Sequence, residues 1–104
     1  MLRTTKNQNS FSQALKTARK ASGISQEAFS QVSSRTYVSS LERGLKTPTI
    51  SKVDELAEVL EIHPLTLLIL SYMKKSDSKE ITRLLDHVSK ELQGILATNE
   101  HSAR

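Results

Sequence analysis

The sequence has no cysteine and no tryptophan, and it contains only three glycines and two prolines in 104 residues. A chain without cysteine forms no disulfide, no thiolate metal site and no thiol nucleophile, and this usage fits a reducing compartment. Turn-rich all-β domains need many glycines and prolines, so their scarcity argues against that class. These absences favour a small helical protein with one main domain.

Long hydrophobic runs are also missing from the sequence. The longest run, Leu67 to Leu70, is far shorter than the ~20 apolar residues of a membrane helix. Met1 to Ser10 is polar and basic and lacks the apolar stretch of a secretory signal. We therefore expect a cytoplasmic protein that does not interact with membranes.

The charged residues are unevenly distributed along the chain. Residues 1–50 carry eight Lys and Arg against only Glu27 and Glu42, a net charge of +6, whereas residues 51–104 carry −2. A basic half of this kind favours contact with a polyanion such as nucleic acid. A solvated basic surface would explain the same charge, so charge alone does not decide between the two.

Apolar residues recur at helical spacing, which predicts five short helices between residues 10 and 75. The predicted helices run from Ser10 to Gly23, from Gln26, from Arg35 to Arg43, from about Ser51 to Glu61, and from Pro64. Ala28 is expected to face inward in the second helix. In the fifth helix, Leu65 and Tyr72 are expected on the main apolar face, with Leu67 on the other.

A sixth, amphipathic helix is predicted near the C-terminus. Asp77 and Glu80 have the spacing of a capping box, and the tail from Thr98 is expected to fray. An apolar stripe follows at steps of four and three residues: Ile81, Leu85, Val88, Leu92 and Ile95, widened by Leu84 and Leu96. This sixth helix has two interpretations: it folds back on the fifth helix, or its stripe is the dimerisation surface of a homodimer.

Short helices with a tight break between the second and third, in a basic half, are typical of helix-turn-helix DNA-binding proteins. The segments SQEAF, RTYVSSLERG and PTISKVDELAEVL resemble the phage-repressor-like (XRE, Cro-type) helix-turn-helix family from about Phe11 to Leu68. The resemblance implies an all-α, lambda-repressor-like domain of five helices. The expected organisation is a flexible basic arm at 1–9, a DNA-binding domain at 10–75, and the C-terminal helix and tail at 76–104.

The resemblance also implies which residues contact DNA. Gln26 would lie beside a phosphate, and Tyr37 would pack against phosphate or sugar. The outward face of the third helix would enter the major groove, with Arg35 gripping guanine. The full implied set is Gln26, Arg35, Thr36, Tyr37, Ser39, Ser40, Arg43 and Lys46, the last two holding phosphates.

Two further features follow from the same resemblance. Arg19 and Glu42 match a structural ion pair that ties the first helix to the third. The connection between Phe29 and Arg35 has five residues, fewer than is usual in the family, and it lacks glycine. We therefore expect a shortened second helix or a tighter turn, with Ser33 at positive φ.

The sequence offers no catalytic, cofactor-binding or metal-binding residues: it has no phosphate loop and no pair of histidines at metal-ligand spacing. The expected function is a sequence-specific transcription regulator, a repressor, that binds double-stranded DNA as a homodimer on a pseudo-palindromic operator. The alternative is a protein-interaction module, such as an antitoxin or anti-regulator, whose main partner is another protein.

Overall fold

The computed structural model describes residues 10–75 and 77–102, and all regular secondary structure in these ranges is helical. The helices are α1 (Phe11–Ala21), a 3-10 helix (Gln26–Phe29), α2 (Arg35–Glu42), α3 (Ile50–Leu60), α4 (Pro64–Tyr72) and α5 (Ser78–Ser102). The predicted all-α fold class is confirmed. The chain divides after Tyr72 into two compact units, one containing α1 to α4 and the other α5. The predicted arm at 1–9 lies outside the described residues.

Side-chain caps set the start of α2 and α3. The Ser34 hydroxyl accepts a hydrogen bond from the Tyr37 backbone N–H at 3.0 Å and thereby caps α2. The Thr49 hydroxyl accepts one from the Lys52 backbone N–H at 3.1 Å and caps α3. Each cap satisfies a donor that the first turn of a helix otherwise leaves unpaired, and it is worth about 1 kcal/mol.

Residues with positive φ end three of the helices. Gly23, with φ of 72°, follows α1, and Gly44, with φ of 76°, follows α2. Glu61 ends α3 at φ of 59°, a conformation that glycine adopts at much lower cost. Among the described residues Glu61 is the only non-glycine residue with positive φ, so the prediction for Ser33 is wrong.

The hydrophobic core of the first unit draws on every one of its helices. Leu15, Phe29, Leu41, Leu56 and Leu67 have no exposed surface. Full burial of each such side chain contributes about 1.5–3 kcal/mol. The core therefore packs against the inner faces of the 3-10 helix and α2 and fixes the direction in which their outer surfaces point.

The orientation of α4 differs from the prediction. Leu67 is fully buried, whereas Leu65 and Tyr72 are 57% and 53% exposed, so the prediction that Leu65 and Tyr72 lie on the main inner face is wrong. The helix is apolar on nearly every side, and only its packing against α1 and α3 selects the inner face. The buried Ser71 supports this orientation: its carbonyl accepts the Ser10 N–H at 2.7 Å, and its hydroxyl donates to the Leu68 carbonyl at 2.6 Å.

The second helix is a single 3-10 segment, which confirms that it is shortened. Ser25 precedes it without a side-chain cap bond, and Ala28 is exposed, so the inward prediction for Ala28 is wrong. A four-residue helix has room for one inward side chain, and Phe29 takes that place. Phe29 also closes the turn, because its carbonyl accepts the backbone N–H groups of Val32 and Ser33, both at 2.9 Å.

The second unit contains the long helix α5. Asp77 caps it by accepting the Glu80 N–H at 2.7 Å, and the Glu80 carboxylate accepts the backbone N–H groups of Lys74 and Lys75. These backbone hydrogen bonds lower the pKa of Glu80 from its ordinary value. The helix continues to Ser102, so the prediction that the chain frays from Thr98 is wrong.

Candidate DNA interface

The helix α2 presents one polar face to solvent and one apolar face to the core. Val38 and Leu41 are fully buried, whereas Arg35 and Thr36 are exposed and Ser39 is half-buried. The spacing of one helical turn brings Arg35, Thr36 and Ser39 onto the same outward surface. We call these three residues the α2 outer face; it combines a long cationic donor with two short hydroxyl groups.

Ser40 does not belong to this face. Its exposed fraction is only 7%, so the prediction that it points outward is wrong. The chain that leaves α2 turns back here, because the Leu45 N–H donates to the Ser40 carbonyl at 2.9 Å. Tyr37 is half-buried beside the outer face, with the Lys52 ammonium 5.8 Å from the centre of its ring.

The guanidinium of Arg35 already has an acidic neighbour. Its Nη1 lies 3.3 Å from the Glu27 carboxylate, and both side chains are about 70% exposed. The pair joins the 3-10 helix to the first turn of α2 across the shortened connection. An exposed ion pair contributes only about 0–1 kcal/mol, so Arg35 can exchange this partner for another anion at low cost.

Two further cations follow the C-terminal end of α2. Arg43 and Lys46 are exposed and lie in the segment that connects α2 to α3. Both belong to the first unit, as does the α2 outer face. Exposed cations beside a polar helix face provide an arrangement suited to phosphate oxygens.

Behind this surface lies the predicted pair of Arg19 and Glu42. Arg19 Nε and Nη2 donate to the two carboxylate oxygens of Glu42 at 2.6 and 2.9 Å, a bidentate arrangement. Arg19 Nη1 also donates to the Ile24 carbonyl at 3.0 Å, and the Gln26 amide donates to Glu42 Oε1 at 3.1 Å. The network therefore connects α1, the 3-10 helix and the last residue of α2.

The electrostatics of this network are those of a satisfied buried ion pair. The Glu42 side chain is only 2% exposed. Burial by itself raises the pKa of Glu42, but the hydrogen bonds from Arg19 and Gln26 and the Arg19 charge outweigh it and lower the pKa. The hydrogen bond to Glu42 raises the pKa of Arg19 in turn. Glu42 is therefore an ionised structural group rather than a proton donor.

A comparison with known protein families matches residues 15–67 to the family described as Helix-turn-helix. The matched range is just over half of the chain, and it extends from α1 through the 3-10 helix, α2 and α3 into α4. The chain belongs to the XRE/Cro-type helix-turn-helix family. It is thus a DNA-binding helix-turn-helix regulator, and the matched range includes the 3-10 helix and α2. The comparison with curated proteins found no match.

Sequence reasoning did not single out Lys52, which lies on α3 within the matched range. Its ammonium donates to the Val32 carbonyl at 2.6 Å and lies 2.8 Å from the Glu55 carboxylate. It therefore connects α3 to the short turn and, through the ring of Tyr37, to α2. Its spacing to Glu55 alone predicts only a surface pair on α3.

Among the residues that the structure describes, no group of three or more His, Asp or Glu is placed to hold a metal ion. Within the same ranges, no helix has the length and hydropathy needed to cross a membrane. The predicted dimerisation residues lie on α5, where their exposed fractions range from 38% at Ile81 to 63% at Ile95. The intervening members, Leu85, Val88 and Leu92, are 46%, 39% and 54% exposed.

Proposed function

We propose that this protein is a sequence-specific transcription regulator, a repressor, that binds a pseudo-palindromic operator as a homodimer. The observation that carries the proposal is the α2 outer face, exposed on a helix whose other face is anchored in the core. An α-helix fits the major groove of B-DNA, where each base pair presents a distinct pattern of donors and acceptors. Occlusion of polymerase at the operator would then repress transcription.

The chemistry of the outer face suits direct reading of bases. The Arg35 guanidinium would leave Glu27 and donate two hydrogen bonds to O6 and N7 of a guanine. The hydroxyls of Thr36 and Ser39 can donate to or accept from neighbouring base edges, and the Thr36 methyl can contact a thymine methyl. Each well-made base contact would contribute about 1–3 kcal/mol of discrimination.

Phosphate contacts would provide most of the affinity. Arg43 and Lys46 would lie against the DNA backbone at the end of α2, and Tyr37 would pack against a sugar or phosphate beside it. Gln26, whose amide is oriented by Glu42, would offer its backbone N–H to a phosphate at the start of the 3-10 helix. These contacts make binding fall steeply with increasing salt concentration.

Self-association is proposed because α5 carries an exposed apolar stripe at coiled-coil spacing. A single helix cannot bury such a stripe on its own. Two-fold pairing would place two copies of α2 about 34 Å apart, one turn of B-DNA. The operator would then contain two inverted half-sites at that separation.

The first test is to mix the full chain with sheared DNA from its source and to sequence what is retained at moderate salt. The expected result is enrichment of a pseudo-palindrome, lost with Arg35→Ala but kept with the matched control Arg83→Ala on α5. Retention without any enriched sequence would contradict sequence-specific recognition. No retention would favour the alternative, a module whose main partner is another protein.

A further inference from the structure

The helix α5 has a heptad pattern that determines more than the presence of a partner. Its apolar residues follow one another at steps of four, three, four and three, so they alternate between the d and a positions of the heptad. The d positions are Ile81, Val88 and Ile95, and the a positions are Leu85 and Leu92. Polar residues stand at the a positions on either side, Ser78 and Asn99. We call the five apolar residues the α5 stripe; along the helix it spans roughly 21 Å at 1.5 Å per residue.

The identity of these residues is the reverse of what a parallel two-stranded coiled coil prefers. Dimers favour β-branched Ile or Val at a with Leu at d, whereas Leu at a with Ile at d shifts the preference to trimers and tetramers. In the α5 stripe both a residues are Leu, and all three d residues are β-branched. The geometry of the core positions therefore disfavours a pair of helices and favours a larger bundle.

The flanking positions support the same conclusion. Dimers usually carry charged residues at e and g, which pair across the interface. Here the e and g positions are Thr82, Ser89, Leu96, Leu84, Glu91 and Thr98, and Glu91 is the only charged one. The wider apolar and neutral surface, with Leu96 58% exposed, suits a bundle in which e and g also become covered.

Four charged residues of α5 lie on the opposite side. Lys79, Asp86, Arg83 and Lys90 are at b and f positions, all of them exposed, and Asp86 pairs with Lys90 at 3.2 Å within the helix. A symmetric assembly brings identical faces together, so a face with few charges meets a copy of itself with little repulsion. Nothing at e or g supplies the charge pattern that would select a different partner helix.

We infer that the occupant of the α5 stripe is three further copies of the same helix, so that the protein is a tetramer formed by two homodimers. The inference rests on the proposed function for the pairing of the DNA-binding units. Four helix-turn-helix units on one bundle can occupy two operators at once. Such an assembly bridges two DNA sites, which a single dimer cannot do.

The direct test is the mass of the full chain in solution by light scattering or sedimentation equilibrium. Four chain masses are expected, and a species of one, two or three chains over the whole concentration range would overturn the inference. The decisive variant exchanges the core residues by combining Ile81→Leu, Leu85→Ile, Val88→Leu, Leu92→Ile and Ile95→Leu. The stripe stays apolar, and the mass is expected to fall twofold to a dimer.

A matched control substitutes outer positions of the same helix, Lys79→Gln with Arg83→Gln, and is expected to remain at four chains. A core-exchanged variant that also remained at four chains would contradict the role assigned to the a and d residues. The mass of the wild-type protein tests the tetramer even if the core-exchanged variant fails to fold.

Bridging of DNA separates this inference from the proposed function. Wild-type protein on an immobilised fragment that carries the enriched site is expected to capture a second, labelled fragment, and the core-exchanged variant is expected to bind without capturing. Specific binding by a two-chain species would leave the proposed function standing and overturn the tetramer. A four-chain species that enriched no DNA sequence would leave the tetramer standing and contradict the proposed function.

Discussion

The two units of this protein handle their apolar side chains in opposite ways. In the unit of α1 to α4, the core residues are at most 8% exposed, while on α5 the stripe residues are between 38% and 63% exposed. A set of short helices can enclose a core, but a lone amphipathic helix cannot cover its own apolar side. The first unit therefore encloses its apolar side chains, whereas the second leaves an apolar surface exposed, which is the surface proposed for self-association.

The same contrast separates two kinds of charged group within the first unit. Arg19 and Glu42 are held in a buried bidentate pair, whereas Arg35 and Glu27 form a single long contact in solvent. A buried pair is costly to break because the remaining charge has no water around it. An exposed pair is easily exchanged, which is what a DNA-reading side chain needs.

The largest effect is expected from breaking the buried pair. Glu42→Ala leaves Arg19 and Gln26 without their acceptor and should lower the free energy of unfolding by about 3–5 kcal/mol. Thermal and urea denaturation measure this loss. Glu55→Ala on the surface of α3 is the control and should change stability little; a Glu42→Ala protein as stable as the parent would contradict the structural role of the pair.

The pH dependence of stability should report the same carboxylate. The pKa of Glu42 is lower in the folded protein than its ordinary value of 4.5, so the ionised form stabilises the fold above that pH. This contribution is lost as the pH falls through the folded pKa. Denaturation between pH 7 and 3 should show it, and the Glu42→Gln variant should lose that part of the pH dependence.

The next effect concerns the exposed stripe. Leu92→Asp places a charge in the middle of the α5 stripe and should abolish self-association, which sedimentation measures directly. The unit of α1 to α4 should keep its near-parental melting behaviour because Leu92 is not part of its core. If Leu92→Asp unfolded the whole chain, this would contradict the view that the unit of α1 to α4 is stable independently of the α5 stripe.

A smaller effect is expected at the α2 outer face. Arg35→Ala should reduce specific DNA binding by about 1–3 kcal/mol, or roughly 5- to 150-fold, with oligomeric state and stability unchanged. Fluorescence anisotropy with specific and random duplexes measures the loss. Equal losses for both duplexes would mean that Arg35 contacts only phosphate.

The smallest effect is expected at Glu27. Glu27→Gln removes the carboxylate that holds Arg35 and lies beside the proposed DNA surface, and it should strengthen binding to random duplex by about two- to fivefold. Specific binding should rise less, so the ratio of the two affinities should fall. Glu58→Gln on α3 is the matched control. An equal gain in binding for this variant would mean that only the net charge of the protein matters, and not the position of Glu27 beside Arg35.

Much of the fold follows from local chemistry that the sequence displays. Gly23, Gly44, Thr49 and Pro64 mark helix ends because each suits a particular backbone conformation or cap, and the structure places them there. The pair of Arg19 and Glu42 was also predictable, but only through the family resemblance. Periodicity alone does not tell a buried carboxylate from an exposed one.

What the sequence did not predict depends on packing between elements. Ser40 is small and polar, so nothing in its identity shows that the loop after α2 turns back onto it. The inner face of α4 is chosen by α1 and α3, because the helix is apolar on most sides. Lys52 is a surface residue by pattern, and its bond to the Val32 carbonyl joins positions 20 residues apart in the chain, a contact that periodicity does not reveal.

We propose that α2 reads the major groove through Arg35, and methylation interference is the sharpest test of this contact. Guanines in the enriched operator are methylated at N7, the acceptor that a bidentate arginine contacts. Methylation of one guanine in each half-site is expected to block the wild-type protein but to cost the Arg35→Ala variant nothing further. Wild-type binding that is insensitive to N7 methylation at every guanine would contradict it.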